Sequence, residues 1–323
     1  MKIAVPDMIS PSYFPALAAV ELGFFRREGL DVTHDLRAPA NRTYEDLRDG
    51  HVDFVAAEAH AALAAFPNWR GVKLLCAQAQ GMYWFLVMRA DLGAQRGDLS
   101  VVRGKRIAAA PWVEMGLRRM LIEAGIDPVR DAVGIAPIPG TLGLKVNIGV
   151  TAAEALADGR IDGFWANGMG AEIAVRRGVG SVVIDARRGD GPEPCFHYTA
   201  ATVATTDRLI AAAPRAAAGA IRAIVAAQSA LRNDISLATT VGRKLFPPAE
   251  AELIAELIAR DLPYYDPTLS PEFVAAMNRF ARDVGILAAD VPYEQVVATQ
   301  FSDLWHAGNA SGPFDPSDSR LPA

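Results

Sequence analysis

Polar side chains that could bind or act on a small molecule occur in pairs near the ends of strand-like runs. Glu58 and His60 follow the apolar run Val52–Ala57, and Cys195 precedes His197 with the same spacing. A carboxylate beside an imidazole can transfer protons, and a thiol beside an imidazole can act as a nucleophile with its base. Adjacency in sequence does not establish the geometry that either reaction needs, so both pairs are hypotheses.

The sequence lacks the motifs of several large enzyme classes. It contains no Gly-x-Ser-x-Gly, no Walker phosphate loop, no His-Glu-x-x-His and no dinucleotide-binding fingerprint. The glycine-rich stretch Gly140–Gly149 lacks the strand and helix that such a fingerprint requires. Two cysteines are too few for a disulfide framework or a cysteine zinc site. We therefore expect neither a metal nor a cofactor.

Twelve residues in turns or at strand ends are candidates for contacts with a small ligand. Hydroxyl, amide and carboxyl groups there can form hydrogen bonds, and aromatic rings can stack on a flat molecule. These candidates are Ser10, Ser12, Tyr13, Glu58, His60, Gln80, Tyr83, Trp84, Trp112, Glu114, Asn167 and His197.

Eight of the twelve candidates also have a simpler structural interpretation. Ser12 could cap a helix, and His60 could be a capping or surface histidine. Gln80, Tyr83 and Trp84 could form core at a crossing between domains. Trp112 could pack within its own domain, Glu114 could favour a helix N-terminus, and His197 could be a hydrogen-bonded histidine near a hinge.

The elements that carry these residues alternate between strands and helices up to Thr205, which favours a mostly parallel α/β sheet. Strands are predicted at Lys2–Val5, Leu30–Leu36, Val52–Ala57, Val72–Ala79, Tyr83–Arg89, Arg106–Ala110, Val133–Ile138, Ile161–Ala166, Ser181–Ile184 and Tyr198–Thr205. Helices are predicted at Tyr13–Leu22, Arg42–Asp49, His60–Phe66, Val113–Ala124, Ala152–Ala157 and Ala171–Arg177. From Asp207 onward the pattern is helical. The predicted helices are Ile210–Arg232, with Pro214 near a break or in a first turn, Ala249–Arg260, Pro271–Asp283 and Tyr293–Trp305, before a loosely ordered tail from Gly308.

Two segments with similar residues suggest that the α/β part consists of two related halves. The helix-to-strand junction at Leu47–Asp53 reads Leu-Arg-Asp-Gly-His-Val-Asp, and Leu156–Asp162 reads Leu-Ala-Asp-Gly-Arg-Ile-Asp. A glycine after the last helical turn can adopt the left-handed conformation that ends a helix. The repeated junction predicts two lobes of similar build.

The segment Tyr13–Val32 resembles the opening of a known family. Its run Ala-Leu-Ala-Ala-Val-Glu-Leu-Gly-Phe-Phe-Arg-Arg-Glu-Gly-Leu-Asp-Val is similar to that of substrate-binding proteins of ABC transporters in the alkanesulfonate, taurine and nitrate group. These proteins share their fold with thiamine-pyrimidine-synthase-like proteins. The two Asp-Gly junctions are further matches, and the resemblance covers roughly Met1 to Thr205.

The resemblance implies a periplasmic-binding-protein type II fold, in which two α/β lobes joined by two hinge crossings clamp a ligand between them. The crossings are expected near Phe85–Ala90 and His197–Val203. Lobe one would comprise residues 1–87 and 200–323, including the helical C-terminal region, and lobe two residues 88–199. Ligands of such sheets bind at the carboxyl ends of strands.

The turn before the first helix of lobe two departs from the family pattern. Relatives often place small hydroxyl residues there to hold an oxyanion, whereas this chain has Trp112 and Glu114. A bulky ring and a carboxylate would crowd or repel an anion. We therefore expect an aromatic or heterocyclic ligand, or one with a cationic edge, rather than a sulfonate or nitrate.

Two functions from different classes fit these residues. The first is a solute-binding protein that closes on a small organic ligand and delivers it to an ABC permease. The alternative is a cytoplasmic enzyme on the same scaffold, such as a hydrolase, a decarboxylase or a pyrimidine-synthase-like protein, acting on a small aromatic or heterocyclic acid. The family's pyrimidine synthase uses iron and a cysteine-rich segment, which two cysteines cannot supply.

The composition of the chain argues against nucleic acid and membrane as binding partners. The chain has 323 residues, of which 51% are hydrophobic and 21% charged, and its net charge is −5. An acidic chain argues against nucleic-acid binding, and no run of about 18 apolar residues predicts a membrane span. No signal-peptide pattern precedes Lys2–Val5, so the protein is expected in the periplasm if a signal peptide has been removed, and in the cytoplasm otherwise.

Overall fold

The computed structural model describes residues 1–141 and 148–310; most of the stretch Gly140–Gly149 and the tail beyond Ala310 lie outside them. Within these residues the strands form two five-stranded sheets. The strands are β1 (Lys2–Val5), β2 (Thr33–Leu36), β3 (Phe54–Glu58), β4 (Val72–Ala79), β5 (Phe85–Arg89), β6 (Arg106–Ala109), β7 (Gly134–Ala136), β8 (Gly163–Ala166), β9 (Gly180–Asp185) and β10 (Ala201–Thr206).

Both sheets have the same topology. The first has the strand order β2-β1-β3-β10-β4, and the second has the order β7-β6-β8-β5-β9. In each, three neighbouring strands are parallel, and the fourth strand runs antiparallel to both of its neighbours. The expectation of two lobes of similar build is confirmed.

Each sheet departs from the expected parallel arrangement at one antiparallel strand, while its other four strands run in the same direction. β5 enters the second sheet directly from the first, and β10 returns from the second sheet to the first. Each of these strands lies between two strands of the other half of the chain and runs against them. Both sheets are therefore mixed, because β5 joins the second sheet and β10 joins the first.

The strand pairing places the first connection between the sheets earlier than expected. Phe85–Arg89 pairs along its whole length with β8 and β9, so the chain crosses at Gln80–Trp84. The return connection is Ala186–Ala200, and the first-sheet strand begins at Ala201.

Helices cover both sheets. They are α1 (Phe14–Glu21), α2 (Phe24–Arg27), α3 (Ala40–Arg48), α4 (Val113–Glu123), α5 (Ile148–Ala157), α6 (Gly168–Arg176), α7 (Asp207–Ala212), α8 (Pro214–Asn233), α9 (Ser236–Leu245), α10 (Pro248–Asp261), α11 (Pro271–Asp283) and α12 (Tyr293–Val296). α8 packs against α1, α2 and β4, which buries its alanine-rich face. Among the described residues, no helix is both long and apolar enough to cross a membrane.

The C-terminal region differs from the sequence expectation at its last helix. The predicted helix Tyr293–Trp305 ends at Val296 because Val297 pairs with Leu74 at the edge of β4, and the chain continues as the 3-10 segment Thr299–Ala310. The indole nitrogen of Trp305 donates to the carbonyl of Leu75 at 2.9 Å. An exposed sheet edge offers backbone partners that compete with a helix.

Gly163 in β8 lies against the neighbouring strand with no space for a side chain. A Cβ at this position would come within 2.8 Å of the carbonyl oxygen of Val87, whereas a Cβ at Gly134 in β7 would meet nothing closer than 3.6 Å. We expect Gly163→Ala to lower the free energy of unfolding by about 1–3 kcal/mol through overpacking. In urea denaturation Gly134→Ala serves as the matched control, and equal stability of the two variants would contradict this packing argument.

Candidate functional site

A pocket lies where strands from both sheets end. β1, β2 and β3 of the first sheet and β6 and β8 of the second end beside it. The centre of a water molecule can occupy about 50 Å³ of it, within about 490 Å³ of space that holds no atoms and is partly open to solvent. Its lining residues are Pro6, Asp7, Ser10, Tyr13, Ala38, Pro39, Ala40, Glu58, Tyr83, Trp84, Ala110, Pro111, Val113, Trp165, Ala166 and Asn167.

The structure brings half of the predicted candidates together. Six of the twelve line this pocket: Ser10, Tyr13, Glu58, Tyr83, Trp84 and Asn167. The other six, Ser12, His60, Gln80, Trp112, Glu114 and His197, are not among its lining residues. Contact between any of the twelve and a ligand stays a prediction.

Glu58, the last residue of β3, is a fully buried carboxyl in the pocket wall. Its Oε2 accepts a hydrogen bond of 2.6 Å from the hydroxyl of Tyr13, while its Oε1 has no hydrogen-bond partner within the protein. Burial raises the pKa of Glu58 from its ordinary 4.5 to about 7, against the opposing effect of the Tyr13 hydrogen bond. The carboxyl therefore changes its charge near neutral pH.

Two tyrosines extend from this carboxyl into a hydrogen-bonded chain. The hydroxyl of Tyr83, from the first connection, is in hydrogen-bond contact with that of Tyr13, and the two rings meet edge to face at 5.5 Å. Burial and the nearby Glu58 raise the pKa of both tyrosines, so both keep their protons. When Glu58 is ionised, Tyr83 donates to Tyr13 and Tyr13 donates to Glu58.

Asp7 supplies a second carboxyl and a contact across the cleft. Its Oδ2 accepts from the side-chain amide of Asn167, which belongs to the second half, and its Oδ1 accepts from the backbone N–H of Ile9 at 3.0 Å. Asn167 also caps α6 by accepting from Met169 and Gly170 at 3.0 and 3.2 Å. Burial raises the pKa of Asp7 to about 6.

Indole rings form the apolar part of the wall. Trp84 and Trp165 are both buried, and their ring centroids lie 6.1 Å apart. The indole nitrogen of Trp165 donates to the carbonyl of Val113 at 3.2 Å, which leaves its ring as the surface offered to the pocket. Rings held in this way can stack on a flat molecule.

His60 is buried behind the pocket and joins the two halves. Its Nε2 lies 3.2 Å from the carbonyl of Trp112, and its Nδ1 lies 3.1 Å from the hydroxyl of Thr199. A carbonyl only accepts, so Nε2 carries the proton and Nδ1 accepts from Thr199. Burial lowers the pKa of His60 to about 4, so the ring is neutral. Both nitrogens are occupied, so the geometry does not form the Glu58–His60 acid–base pair.

The second candidate pair also lacks the required chemistry. Cys195 is 1% exposed, and burial raises the pKa of its thiol to about 12. A cysteine acts as a nucleophile through its thiolate, which this environment disfavours. The ring of His197 packs against Phe196 at 4.9 Å. The structure therefore gives no support to a Cys195–His197 nucleophile.

Two of the remaining candidates, Ser12 and Gln80, have structural roles outside the pocket. Ser12 lies before α1 rather than capping it, and its hydroxyl accepts from Arg187 at 3.0 Å. The side chain of Gln80 donates to the carbonyls of Asp266 and Thr268 at 2.9 and 2.7 Å, which anchors the first connection.

The remaining candidates lie at the start of α4. Trp112 has a φ of 72°, and its carbonyl accepts the hydrogen bond from Nε2 of His60. Glu114 is partly buried with an unpartnered Oε2, and burial raises its pKa.

Arg187 links the two connections between the sheets. It lies in the return connection, and its Nε donates to the carbonyl of Gln80 in the first connection at 3.0 Å. Its Nη1 donates to Asp261 at 2.9 Å, and its guanidinium lies 5.4 Å from the ring centroids of both Tyr83 and Tyr264. The residue is 3% exposed, so its charge is held by protein partners rather than by water.

The comparisons with known proteins agree with this geometry. A protein-family model described as NMT1/THI5 like matches residues 10–234. The chain belongs to the NMT1/THI5-like family. This membership confirms the resemblance that the sequence suggested. A search of curated proteins gave no match.

Solved structures with the same fold include binding proteins and an enzyme. The alkanesulfonate-binding protein SsuA from Xanthomonas axonopodis pv. citri, bound to MOPS, is 16% identical with a TM-score of 0.68, covering 92% of this chain and 97% of that one. The periplasmic nitrate-binding protein NrtA from Synechocystis PCC 6803 is 15% identical with a TM-score of 0.67, covering 98% and 90%. The desulfurization enzyme DSZB is 15% identical with a TM-score of 0.63, covering 95% and 98%. These likenesses show that this NMT1/THI5-like chain has the two-lobed fold of periplasmic binding proteins.

The raised pKa of Glu58 predicts how stability depends on pH. The folded protein holds the Glu58 proton more tightly than the unfolded chain, so this contribution is complete below pH 4.5 and is lost as pH rises through about 7. A glutamine side chain does not titrate, so the variant Glu58→Gln lacks this loss. The free energy of unfolding of Glu58→Gln minus that of wild type should therefore increase across this interval by on the order of 1 kcal/mol per pH unit. Urea denaturation at several pH values measures the difference, with the exposed Glu252→Gln as control. A difference that stays constant with pH would contradict the assignment.

The buried position of Arg187 predicts a large cost for removing its charge. Arg187→Met leaves Ser12 and the carbonyl of Gln80 without their donor, although Asp261 keeps Arg188 at 2.7 Å. We expect a loss of about 3 kcal/mol in the free energy of unfolding. Arg243→Met breaks an exposed ion pair and should cost less than about 1 kcal/mol. Similar losses in the two variants would show that Arg187 is not a main constraint on the connections.

Proposed function

We propose that this NMT1/THI5-like protein is a solute-binding protein that holds a small aromatic or heterocyclic molecule between its two halves for uptake by an ABC permease. The observation that carries the proposal is the pocket itself, formed at strand ends of both sheets and lined by Trp84, Trp165, Tyr13 and Tyr83. Small-molecule sites are concave and mostly apolar, with a few fixed polar groups. The nitrate-binding neighbour is named as a periplasmic protein, and a periplasmic location would accord with this role.

The ligand class is inferred from the lining residues rather than from the neighbours. The neighbours' names give sulfonate and nitrate, which are anions. The described lining residues of this pocket include two carboxyls, Asp7 and Glu58, and no lysine, arginine or histidine. Four aromatic rings around a small space suit a flat ring better than a small inorganic anion.

Binding in this pocket can be tested by filling it. A thermal-shift assay compares one-ring aromatic and heteroaromatic compounds with matched saturated-ring analogues. We expect only the aromatic compounds to raise the melting temperature of the protein. Ala110→Leu, which places a larger side chain in the pocket wall, should abolish these shifts, whereas Ala157→Leu on the exposed end of α5 should preserve them. Shifts that survive Ala110→Leu, or that occur equally with saturated rings, would contradict the proposal.

A second candidate function, an enzyme on the same scaffold, is favoured by one observation. Glu58 is a buried carboxyl in the pocket whose charge changes near neutral pH, as general acids and bases require. The fold also occurs in a desulfurization enzyme. Mass spectrometry of each stabilising compound after incubation separates the two functions: intact recovery supports binding, and turnover that is lost in Glu58→Gln supports catalysis.

A further inference from the structure

Two buried oxygen atoms in residues that line the pocket have no hydrogen-bond partner within the protein. Oε1 of Glu58 is buried without a partner, in a side chain that lines the pocket and is fully buried. The hydroxyl of Ser10, also a lining residue and 1% exposed, has no partner either. A buried carboxylate oxygen without a hydrogen bond is costly, so a donor supplied by a ligand would relieve a defined deficit.

We propose that the pocket selects an organic cation, a protonated nitrogen base on a flat ring, whose N–H groups donate to Glu58 and Asp7. The inference rests on the proposed binding function and adds the charge of the ligand. Charge-assisted hydrogen bonds from N–H to carboxylate are stronger than neutral ones, and a planar amidinium-type group can reach two acceptors at once.

The groups around Glu58 do not provide a competing cation. Its nearest titratable neighbours come from four elements and the first connection, and they are Asp7 after β1, Tyr13 before α1, Tyr44 on α3, His60 after β3 and Tyr83. The tyrosines are neutral donors, and His60 is neutral with both nitrogens bonded elsewhere. Arg187 contacts the ring of Tyr83, but Gln80, Asp261 and Ser12 already accept from its guanidinium.

A metal ion fits this site less well than an organic cation. Protein sites for zinc or similar ions use three or more protein ligands. Across residues 1–141 and 148–310, no group of three or more His, Cys, Asp or Glu side chains is arranged to hold a metal. The aromatic walls of Trp84 and Trp165 also offer ring faces, which attract organic cations.

The experiment compares three probes that share one ring and differ in charge: benzamidine as the cation, benzamide as the neutral analogue and benzoate as the anion. Isothermal titration with the full chain should give the affinity order benzamidine, benzamide, benzoate, with each step about tenfold or more. The affinity for benzamidine should rise between about pH 5 and 8 as Glu58 and Asp7 ionise, because the cation favours the charged carboxyls.

Variants separate the charge from the shape of the pocket. Glu58→Gln keeps an acceptor for Tyr13 but removes the charge, and it should weaken benzamidine about tenfold at pH 8 and flatten its pH dependence, with benzamide unaffected. Glu250→Gln removes another buried carboxyl with an unpartnered oxygen, on α10, and should leave all three affinities unchanged. Asp7→Asn should act in the same direction as Glu58→Gln.

The outcomes distinguish the two proposals. If all three probes bind equally and Ala110→Leu abolishes binding, the pocket binds rings and the charge inference is wrong. If benzamidine binds but is insensitive to Ala110→Leu, it binds elsewhere, and the inference is again overturned. If benzamidine fails to bind at about millimolar concentration, the inference fails, and the aromatic panel decides separately whether the proposed function fails with it.

Discussion

The burial of one carboxyl, that of Glu58, constrains most of the cleft. A charged carboxylate removed from water is expensive, and a neutral one still needs hydrogen bonds. The end of β3 places the group inside, and Tyr13 and Tyr83 arrive from two other segments to supply one bonded chain. Because Tyr83 belongs to the first connection between the sheets, the chemistry of the site depends on how the two halves are joined.

The contact between the two connections that join the sheets depends in turn on Arg187. A guanidinium that is 3% exposed must find all its partners within the protein, and this one finds them in Gln80, Ser12 and Asp261. Its partners belong to the first connection, the start of the first helix and the end of α10. A single buried charge therefore fixes the region around Tyr83, and rigid support of this kind is what keeps a binding group in position.

Strand and helix bounds were predicted correctly where the residues of the segment itself determine them. Val72–Ala79 and Pro271–Asp283 have the predicted bounds, and the hydroxyl of Ser270 caps its helix at 3.1 Å as Pro271 at the next position suggests. The long C-terminal helix breaks at Pro214 as predicted. The antiparallel direction of β5 and β10 was missed, because it depends on which strands they meet in space rather than on their own residues.

Six of the twelve candidate residues line the pocket. As with the strands, residues were found where their position in the sequence was enough, and missed where their role depends on distant partners. The rule that ligands bind at carboxyl ends of strands found Glu58 and Asn167 from position alone. Asp7 follows the first strand equally closely, but its role depends on Asn167, 160 residues away, which sequence spacing does not show. Arg187 lies in a loop of charged and turn residues, where an exposed arginine is the usual expectation. In the sequence, Trp112 and Glu114 were the residues expected to disfavour an anion. The carboxyls that line the pocket are instead those of Asp7 and Glu58.

The fold that this chain shares with its structural neighbours does not by itself determine which ligand the chain binds. Equal topology in the two sheets brings strand ends to a common cleft whatever side chains follow them, so the fold determines where a ligand binds. Under the proposed function, the charge of that ligand depends on the few residues at the ends of β1, β3 and β8. In this chain they are two carboxyls and an amide, and an anion there would meet repulsion from the carboxyls without a lining cation to offset it. The side chains at these strand ends can therefore determine the charge of the proposed ligand while the fold stays the same.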